Sequence, residues 1–172
     1  MNTLKMIVAV GVMLTILSGV AMAQSQAIDL GARYHTENSA FPKLPFANGD
    51  LSYGLGYEIH DENGLLQLIC GYTPEFKNHR DIDYGITPEG NLLFTDGLFQ
   101  GGVGILSTYT SGGTSGSKWM ALYWQGVLGL NIPLGKQFSF QANAYYVFEE
   151  WNKLGDFRFE DIEFGGYLSY KF

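Results

Sequence analysis

Cysteine and basic residues are scarce in this chain. Cys70 is the only cysteine among 172 residues, which excludes an intrachain disulfide and any zinc site built on clustered cysteines. Lys and Arg number 10 against 17 Asp and Glu, so the formal net charge is −7. That balance argues against nucleic acid as a partner, because the phosphate backbone is bound by clustered Lys and Arg.

Long apolar runs are confined to the start of the chain. Lys5 supplies a positive charge, residues 6–20 are apolar, and Ala21-Met22-Ala23 forms a small-residue cleavage site. This pattern predicts a secretory signal peptide over residues 1–23 and one mature domain over 24–172. No later run reaches the ~18 apolar residues of a membrane helix, so only a closed β-barrel could span a bilayer there.

Apolar and polar residues alternate in much of the chain, most clearly in residues 160–172. Ile162, Phe164, Leu168, Tyr170 and Phe172 occupy even positions, whereas the odd positions are mostly polar or charged. Alternation at period two is typical of a β-strand with one apolar and one polar face. A tilted strand of about 9–11 residues is long enough to cross a bilayer.

The same alternation predicts six further strands. They lie within residues 28–37, 50–60, 65–73, 98–110, 119–132 and 137–150. Single-chain bacterial barrels have an even strand number, so an eighth strand is expected within about 82–94, with an irregular course at Pro88 and Gly90. The predicted fold class is all-β: an eight-stranded antiparallel transmembrane up-and-down β-barrel with short periplasmic turns and longer extracellular loops.

A water-soluble barrel of the lipocalin type is the competing fold. It would turn the apolar faces inward around a ligand and expose the Gln and Asn residues. The apolar faces carry large, often aromatic side chains, and the other faces are rich in Gly, Ser, Gln and Asn, which suits a crowded lumen. We therefore expect Leu128, Phe138, Phe140 and Leu168 to face lipid.

The signal peptide, the alternation and the C-terminal aromatic residue resemble those of small bacterial outer-membrane β-barrels of the OmpX and OmpA-domain type. The resemblance implies a location in the bacterial outer membrane, surrounded by lipid and lipopolysaccharide. It also implies that Leu168, Tyr170 and Phe172 carry the signal read by the barrel-assembly machinery. No cofactor and no metal are predicted.

Charged residues on the inward faces are candidates for a network in the lumen: Arg33, Glu58, Asp161 and Glu163. Closure places the first and last strands side by side, so Arg33 should lie near Asp161 or Glu163 and form an oriented ion pair. The favoured interpretation is a structural plug of hydrogen bonds. The alternative is a proton or ion path, which would make the protein a small ion-conducting channel.

An enzymatic interpretation depends on the outer end of the first strand. His35, Glu37 and Ser39 lie there, and His79 lies in the second long loop. A His beside a carboxylate and a hydroxyl can catalyse acyl transfer, with His35 as the base. The position of His35 is similar to that of a His in outer-membrane palmitoyltransferases, which implies a lipid A-modifying acyltransferase or deacylase. The Asp-Ser pair of the palmitoyltransferases and the His-x-Ser-Asn pattern of the deacylases are absent.

The first long loop contains two prolines and three large apolar residues, Phe41, Leu44 and Phe46. On a stiffened loop these side chains either form a contact surface for a partner or fold down over the barrel mouth. The leading functional hypothesis is a non-enzymatic membrane anchor. Its extracellular loops would serve envelope integrity, adhesion or ligand contact.

Overall fold

The computed structural model describes residues 25–36, 44–62, 64–79, 81–112, 116–151 and 157–172, and the structural statements below concern these residues. Among them, no helix has the length and apolar character needed to cross a membrane. A short 3-10 turn, Phe159–Asp161, precedes the last strand. Strands therefore make up nearly all of the regular structure.

Ten strand segments form the eight walls of a closed barrel. They are β1 (Ser25–Tyr34), β2 (Leu51–His60), β3 (Gly64–Thr73), β4 (Ile82–Asp96), β5 (Phe99–Leu106), β6 (Tyr109–Gly112), β7 (Lys118–Trp119), β8 (Tyr123–Pro133), β9 (Phe138–Phe148) and β10 (Ile162–Lys171). Each wall pairs antiparallel with the next, and β1 pairs with β10 to close the barrel. The predicted eight-stranded fold is confirmed.

Two walls are each made of two segments. β5 and β6 both pair with β4, one after the other, so they share a wall. β7 pairs with β6 and β8 pairs with β5, so these two segments share the next wall. The single predicted strands 98–110 and 119–132 are therefore interrupted near the barrel rim.

Connections of different length lie at opposite ends of the barrel. At one end, here the turn end, the links are residues 61–63, Gly97–Leu98 and 134–137. Gly97 has φ +60°, a conformation that suits a glycine in so tight a turn. At the other end, here the loop end, the connections 35–50, 74–81, 113–117 and 149–161 leave the barrel.

The strand predicted from parity is β4, and it is regular at Pro88 and Gly90, which corrects the irregular course predicted there. Its one register shift lies elsewhere, between Ile82 and Tyr84 in the pairing with β6. β4 is the longest strand, at 15 residues, and it pairs with β3 without interruption from Phe94 to Gly85. The Ser107 backbone N–H donates to the Pro88 carbonyl at 3.3 Å. The edge of β4 that carries this carbonyl therefore faces the junction of β5 and β6 at Pro88. A proline is tolerated because its missing N–H faces this break in the ladder.

The apolar faces point away from the lumen. Phe138, Phe140, Leu128 and Leu168 are 47%, 41%, 68% and 46% exposed, whereas the amides of the opposite faces are 0–3% exposed. These buried amides belong to Gln67, Asn91, Gln100, Gln125, Gln141 and Asn143. A belt of this kind is unfavourable against water and favourable against acyl chains. The arrangement excludes the lipocalin-type alternative.

The lumen also contains an apolar cluster around two buried tyrosines, Tyr145 and Tyr167. The cluster is completed by Leu65, Ile69, Leu93 and Val127. Inward-facing glycines leave room for the rings: a Cβ at Gly54 would lie 2.9 Å from the Tyr167 ring, and one at Gly165 would lie 2.9 Å from the Tyr145 ring. The small residues of the inner face therefore allow the tyrosines to fill the barrel.

Candidate functional site

The turn-end half of the lumen is cross-linked around two buried acidic side chains, Glu58 and Asp29. Glu58 Oε1 accepts hydrogen bonds from Gln67 Nε2 at 2.9 Å and Gln141 Nε2 at 2.8 Å, and its Oε2 lies 2.9 Å from His60 Nε2. Asp29 accepts from the Ser169 hydroxyl and from Gln67. These contacts connect five strands and satisfy polar groups that would otherwise be buried without partners.

Arg33 is the centre of the next layer. Its Nε donates to Glu163 Oε2 at 2.7 Å, and its Nη1 donates to Glu89 Oε2 at 2.9 Å and to Gln125 Oε1 at 3.0 Å. The guanidinium carbon lies 4.0 Å from the centroid of the Tyr145 ring. One buried cation is therefore held by two carboxylates, an amide and an aromatic face.

The predicted partners of Arg33 are placed differently. The sequence predicted Arg33 beside Asp161 or Glu163, and Glu163 is the residue that contacts it. Asp161 lies fully buried in the 3-10 turn before β10. Glu89 is a further partner that the sequence analysis missed, because it lies on β4, the strand located only from strand parity. Its inward position would have followed from a regular β4.

Above Arg33, at the loop end, His35 connects a carboxylate to a hydroxyl. His35 Nδ1 lies 3.1 Å from Glu163 Oε2, close but without the alignment of a hydrogen bond. His35 Nε2 lies 2.6 Å from Ser52 Oγ, and Ser52 Oγ lies 2.6 Å from Thr73 Oγ1. Carboxylate, imidazole and hydroxyl thus follow one another in the order used by acyl-transfer sites.

The predicted partners of His35 at this site were Glu37, Ser39 and His79. Glu37 and Ser39 lie outside the described residues. His79 is exposed on the β3–β4 connection and lines a surface cleft that His35 does not line. Ser52 was missed, although its pairing on β2 opposite Arg33 follows from the alternation once β1 and β2 are taken as neighbours.

Leu44 and Phe46 fold into the barrel mouth, which is the second of the two arrangements that the sequence left open, and they do not form an exposed contact surface. Each is only 7% exposed. They pack with Phe76, Leu106, Tyr123 and Val147 in an apolar cluster over the polar layers. The Phe46 ring stacks on the His35 ring at 3.7 Å with an interplanar angle of 2°. Burial of these side chains against one another is favoured over their exposure to water. Phe41 lies outside the described residues.

Residues 44–50 are fixed over the mouth by hydrogen bonds as well. Asp50 accepts from the Ala47 backbone N–H at 2.7 Å and from the Lys77 backbone N–H at 3.1 Å. The backbone of His35 exchanges hydrogen bonds with Asp50 and Gly49, both at 2.9 Å. We call residues 44–50 the cover.

A cleft of about 480 Å³ opens at the loop end beside the cover. Its walls include Leu44, Pro45, Ile82, Trp119, Met120 and His79. Leu44 and Phe46 also line a narrow space that contains His35 and Glu163 and is too small for a water molecule. Leu44 therefore separates the open cleft from the buried His35.

The remaining predicted site residues lie on the outer surface. Leu168 and Tyr170 point outward from β10, and Phe172 follows this strand, exposed. The Tyr170 ring packs on Phe138 with centroids 5.1 Å apart. Among the described residues, no group of three or more His, Cys, Asp or Glu side chains could hold a metal ion.

Fold and lumen together define the class of protein. An antiparallel barrel with an apolar belt outside and a packed, largely polar interior is the architecture of a small outer-membrane β-barrel. No family model and no curated protein matches the chain.

Two solved structures have a similar fold. Neisserial surface protein A (NspA) is 10% identical, with 86% of this chain and 92% of that protein covered and a TM-score of 0.45. Ail, the attachment invasion locus protein of Yersinia pestis, is 14% identical, with 88% and 100% covered and a TM-score of 0.41.

Proposed function

We propose that this protein is an integral protein of the bacterial outer membrane, in which the barrel is a rigid anchor for the connections at the loop end. The observation that carries the proposal is an outward apolar belt around a lumen filled by cross-linked side chains. A barrel fixed from inside holds the ends of its loops at constant separations. The displayed loops would serve adhesion, envelope integrity or contact with a ligand.

In this proposal the loop end faces the exterior and the turn end faces the periplasm. Aromatic pairs support a membrane position between the two ends: Tyr109 and Trp119 pack at 5.3 Å near the loop end, and Phe138 and Tyr170 pack at 5.1 Å near the turn end. Residues 1–23 would direct export. The barrel-assembly machinery would read Leu168, Tyr170 and Phe172, and lipopolysaccharide would surround the loop end.

Cysteine labelling on intact cells tests the orientation. Ser117→Cys at the loop end and Asp61→Cys at the turn end are made in a Cys70→Ser background, since both sites are exposed. A membrane-impermeant maleimide should label Ser117→Cys on intact cells and Asp61→Cys only after permeabilisation. Labelling of Asp61→Cys on intact cells, or recovery of the protein outside the outer-membrane fraction, contradicts the proposal.

A filled lumen distinguishes the proposed membrane anchor from the alternative, an ion-conducting channel. Arg33, Glu89, Gln125, Asn91 and Gln67 form a continuous hydrogen-bonded series across the interior. A barrel filled in this way should give no discrete conductance in planar bilayers. Conductance steps from the pure wild-type protein that disappear on heat unfolding would instead favour the channel.

A further inference from the structure

The contact between His35 and Ser52 differs in kind from the rest of the lumen network. The deeper layers connect their charges mainly through the amides of Gln and Asn, which neither attack nor take up protons readily. At the loop end one imidazole, that of His35, contacts both a hydroxyl at 2.6 Å and a carboxylate at 3.1 Å. At the turn end the imidazole of His60 contacts Glu58, and the Ser169 hydroxyl contacts Asp29 instead. We propose that Ser52 is a nucleophile for acyl transfer, with His35 as its general base and Glu163 as the residue that positions His35.

Proton positions in this group are compatible with such a role. If Nδ1 of a neutral His35 carries the proton toward Glu163, Nε2 accepts the Ser52 hydroxyl proton, and Thr73 then donates to Ser52 Oγ. Arg33 fixes the same Glu163 oxygen at 2.7 Å, so the carboxylate cannot turn away. Poor alignment of the His35–Glu163 contact fits a resting site, because catalytic hydrogen bonds often tighten only when a substrate is bound.

The surroundings indicate the class of substrate. The cover closes the site: Phe46 lies flat on His35, and Leu44 stands between His35 and the cleft of about 480 Å³, whose lining is mainly apolar. Displacement of Phe46 and Leu44 would join the cleft to the space beside His35, whose Nε2 lies 2.6 Å from Ser52 Oγ. A chain held along Pro45, Ile82 and Trp119 would then present its carbonyl to Ser52. The site therefore fits a carboxylic ester with an apolar chain.

The reaction balances with water as the second substrate. Ser52 Oγ attacks the ester carbonyl carbon while its proton passes to His35 Nε2. The bond to the alcohol oxygen breaks, and the alcohol leaves with that proton. In the second step His35 takes a proton from water while the water oxygen bonds to the acyl carbon. The bond from that carbon to Ser52 Oγ then breaks, and the proton on His35 passes to Ser52 Oγ, which releases the carboxylic acid and regenerates Ser52. The Thr73 hydroxyl, whose contact with Ser52 Oγ weakens as soon as that oxygen bonds to the carbonyl carbon, is available to donate to the oxyanion.

A long-chain alkyl fluorophosphonate tests the nucleophile in the folded full-length protein. The Ser52 Oγ–P bond forms, the P–F bond breaks, fluoride leaves, and the proton goes to His35. Mass spectrometry should find the adduct on Ser52 in wild-type protein or in Phe46→Ala, whose opened cover should raise the rate. Ser52→Ala should abolish the adduct, and His35→Asn should slow its formation by about 100-fold or more. Ser139→Ala, on β9, is the matched serine control and should leave the rate unchanged.

Heat-dependent gel mobility confirms that each variant is folded, and His35→Gln replaces His35→Asn if the latter is not. Since Glu163 acts through His35, Glu163→Gln should lower the labelling rate and Glu163→Asp should restore most of it. Absence of a Ser52 adduct in both wild type and Phe46→Ala overturns the proposal, as does a rate that the His35 variants leave unchanged. The result is independent of the labelling that tests membrane orientation.

Discussion

Arg33 and Glu163 form an ion pair across the seam where the first and last strands meet. Arg33 Nε and Glu163 Oε2 are 2.7 Å apart, and both side chains are 3% exposed. In the β1–β10 register Arg33 lies opposite Gly165, so Glu163 is its diagonal neighbour on the inner face. The pair therefore stabilises the backbone pairing of β1 with β10, which joins the two ends of the described chain and closes the barrel.

Removal of the cation should destabilise the barrel strongly. Arg33→Met leaves Glu163 and Glu89 buried without their shared partner, and loss of one member of a buried ion pair costs about 3–5 kcal/mol. Urea unfolding of the protein in lipid vesicles, followed by tryptophan fluorescence, measures the difference.

The matched control is Arg158→Met. Arg158 lies 3.6 Å from Glu160, and both side chains are more than half exposed. An exposed pair contributes at most about 1 kcal/mol, so this variant should unfold near the wild-type midpoint. Equal stability of Arg33→Met and Arg158→Met would show that the buried pair does not stabilise closure.

The sequence predicts the barrel better than it predicts the site. Period-two alternation is a local property of each strand, and strand number follows from it together with parity. The same alternation gave the inward positions of Arg33 and Glu163. The course of β4 was missed because Pro88 breaks strand pairing in general, and only the pairing partners reveal that its missing N–H faces a gap.

Contacts between segments distant in the chain could not be predicted from the sequence. Burial of Leu44 and Phe46 depends on an apolar cluster assembled from residues on several strands, including Leu106 and Val147. No local pattern distinguishes that cluster from an exposed apolar loop. The choice of Ser52 for His35 likewise depends on the strand register, which places both at the loop end.

The outward belt can be tested with a charge at its centre. Leu128 lies near the middle of β8 and points away from the lumen. Leu128→Lys should lower the unfolding free energy in lipid by about 2–4 kcal/mol, the cost of lysine near the bilayer midplane. Phe159→Lys, in the exposed 3-10 turn at the loop end, should change it by no more than about 1 kcal/mol. If Leu128→Lys left the unfolding free energy unchanged, this face would not contact acyl chains.

Two glycines on opposite faces of the barrel wall, Gly31 facing the lumen and Gly126 facing outward, give a second comparison. A Cβ at Gly31 would lie 2.1 Å from the Gly166 carbonyl oxygen and 2.5 Å from the Tyr167 ring, whereas a Cβ at Gly126 would meet nothing within 4 Å. Gly31→Ala should therefore cost about 1–3 kcal/mol through overpacking. Gly126→Ala should be neutral or stabilising by about 0.4–1 kcal/mol, because alanine restricts the unfolded chain. Similar unfolding midpoints for the two variants would contradict the packing around Tyr167.

The cover should be held in place by Phe46. The Ala47 and Gly49 backbone N–H groups donate to Asp50 and His35 while Phe46 packs on His35. Phe46→Ala should accelerate hydrogen exchange of these two amides by more than about tenfold, since a loss of about 1.4 kcal/mol in local opening free energy is sufficient.

Leu51→Ala changes an outward side chain next to the cover and should leave both amides protected. Exchange followed by mass spectrometry on a peptide spanning residues 44–50 measures both variants. If the two variants exchange at the same rate, the hydrogen bonds of Asp50 hold the cover without the aromatic stack, and Phe46 does not control access to His35.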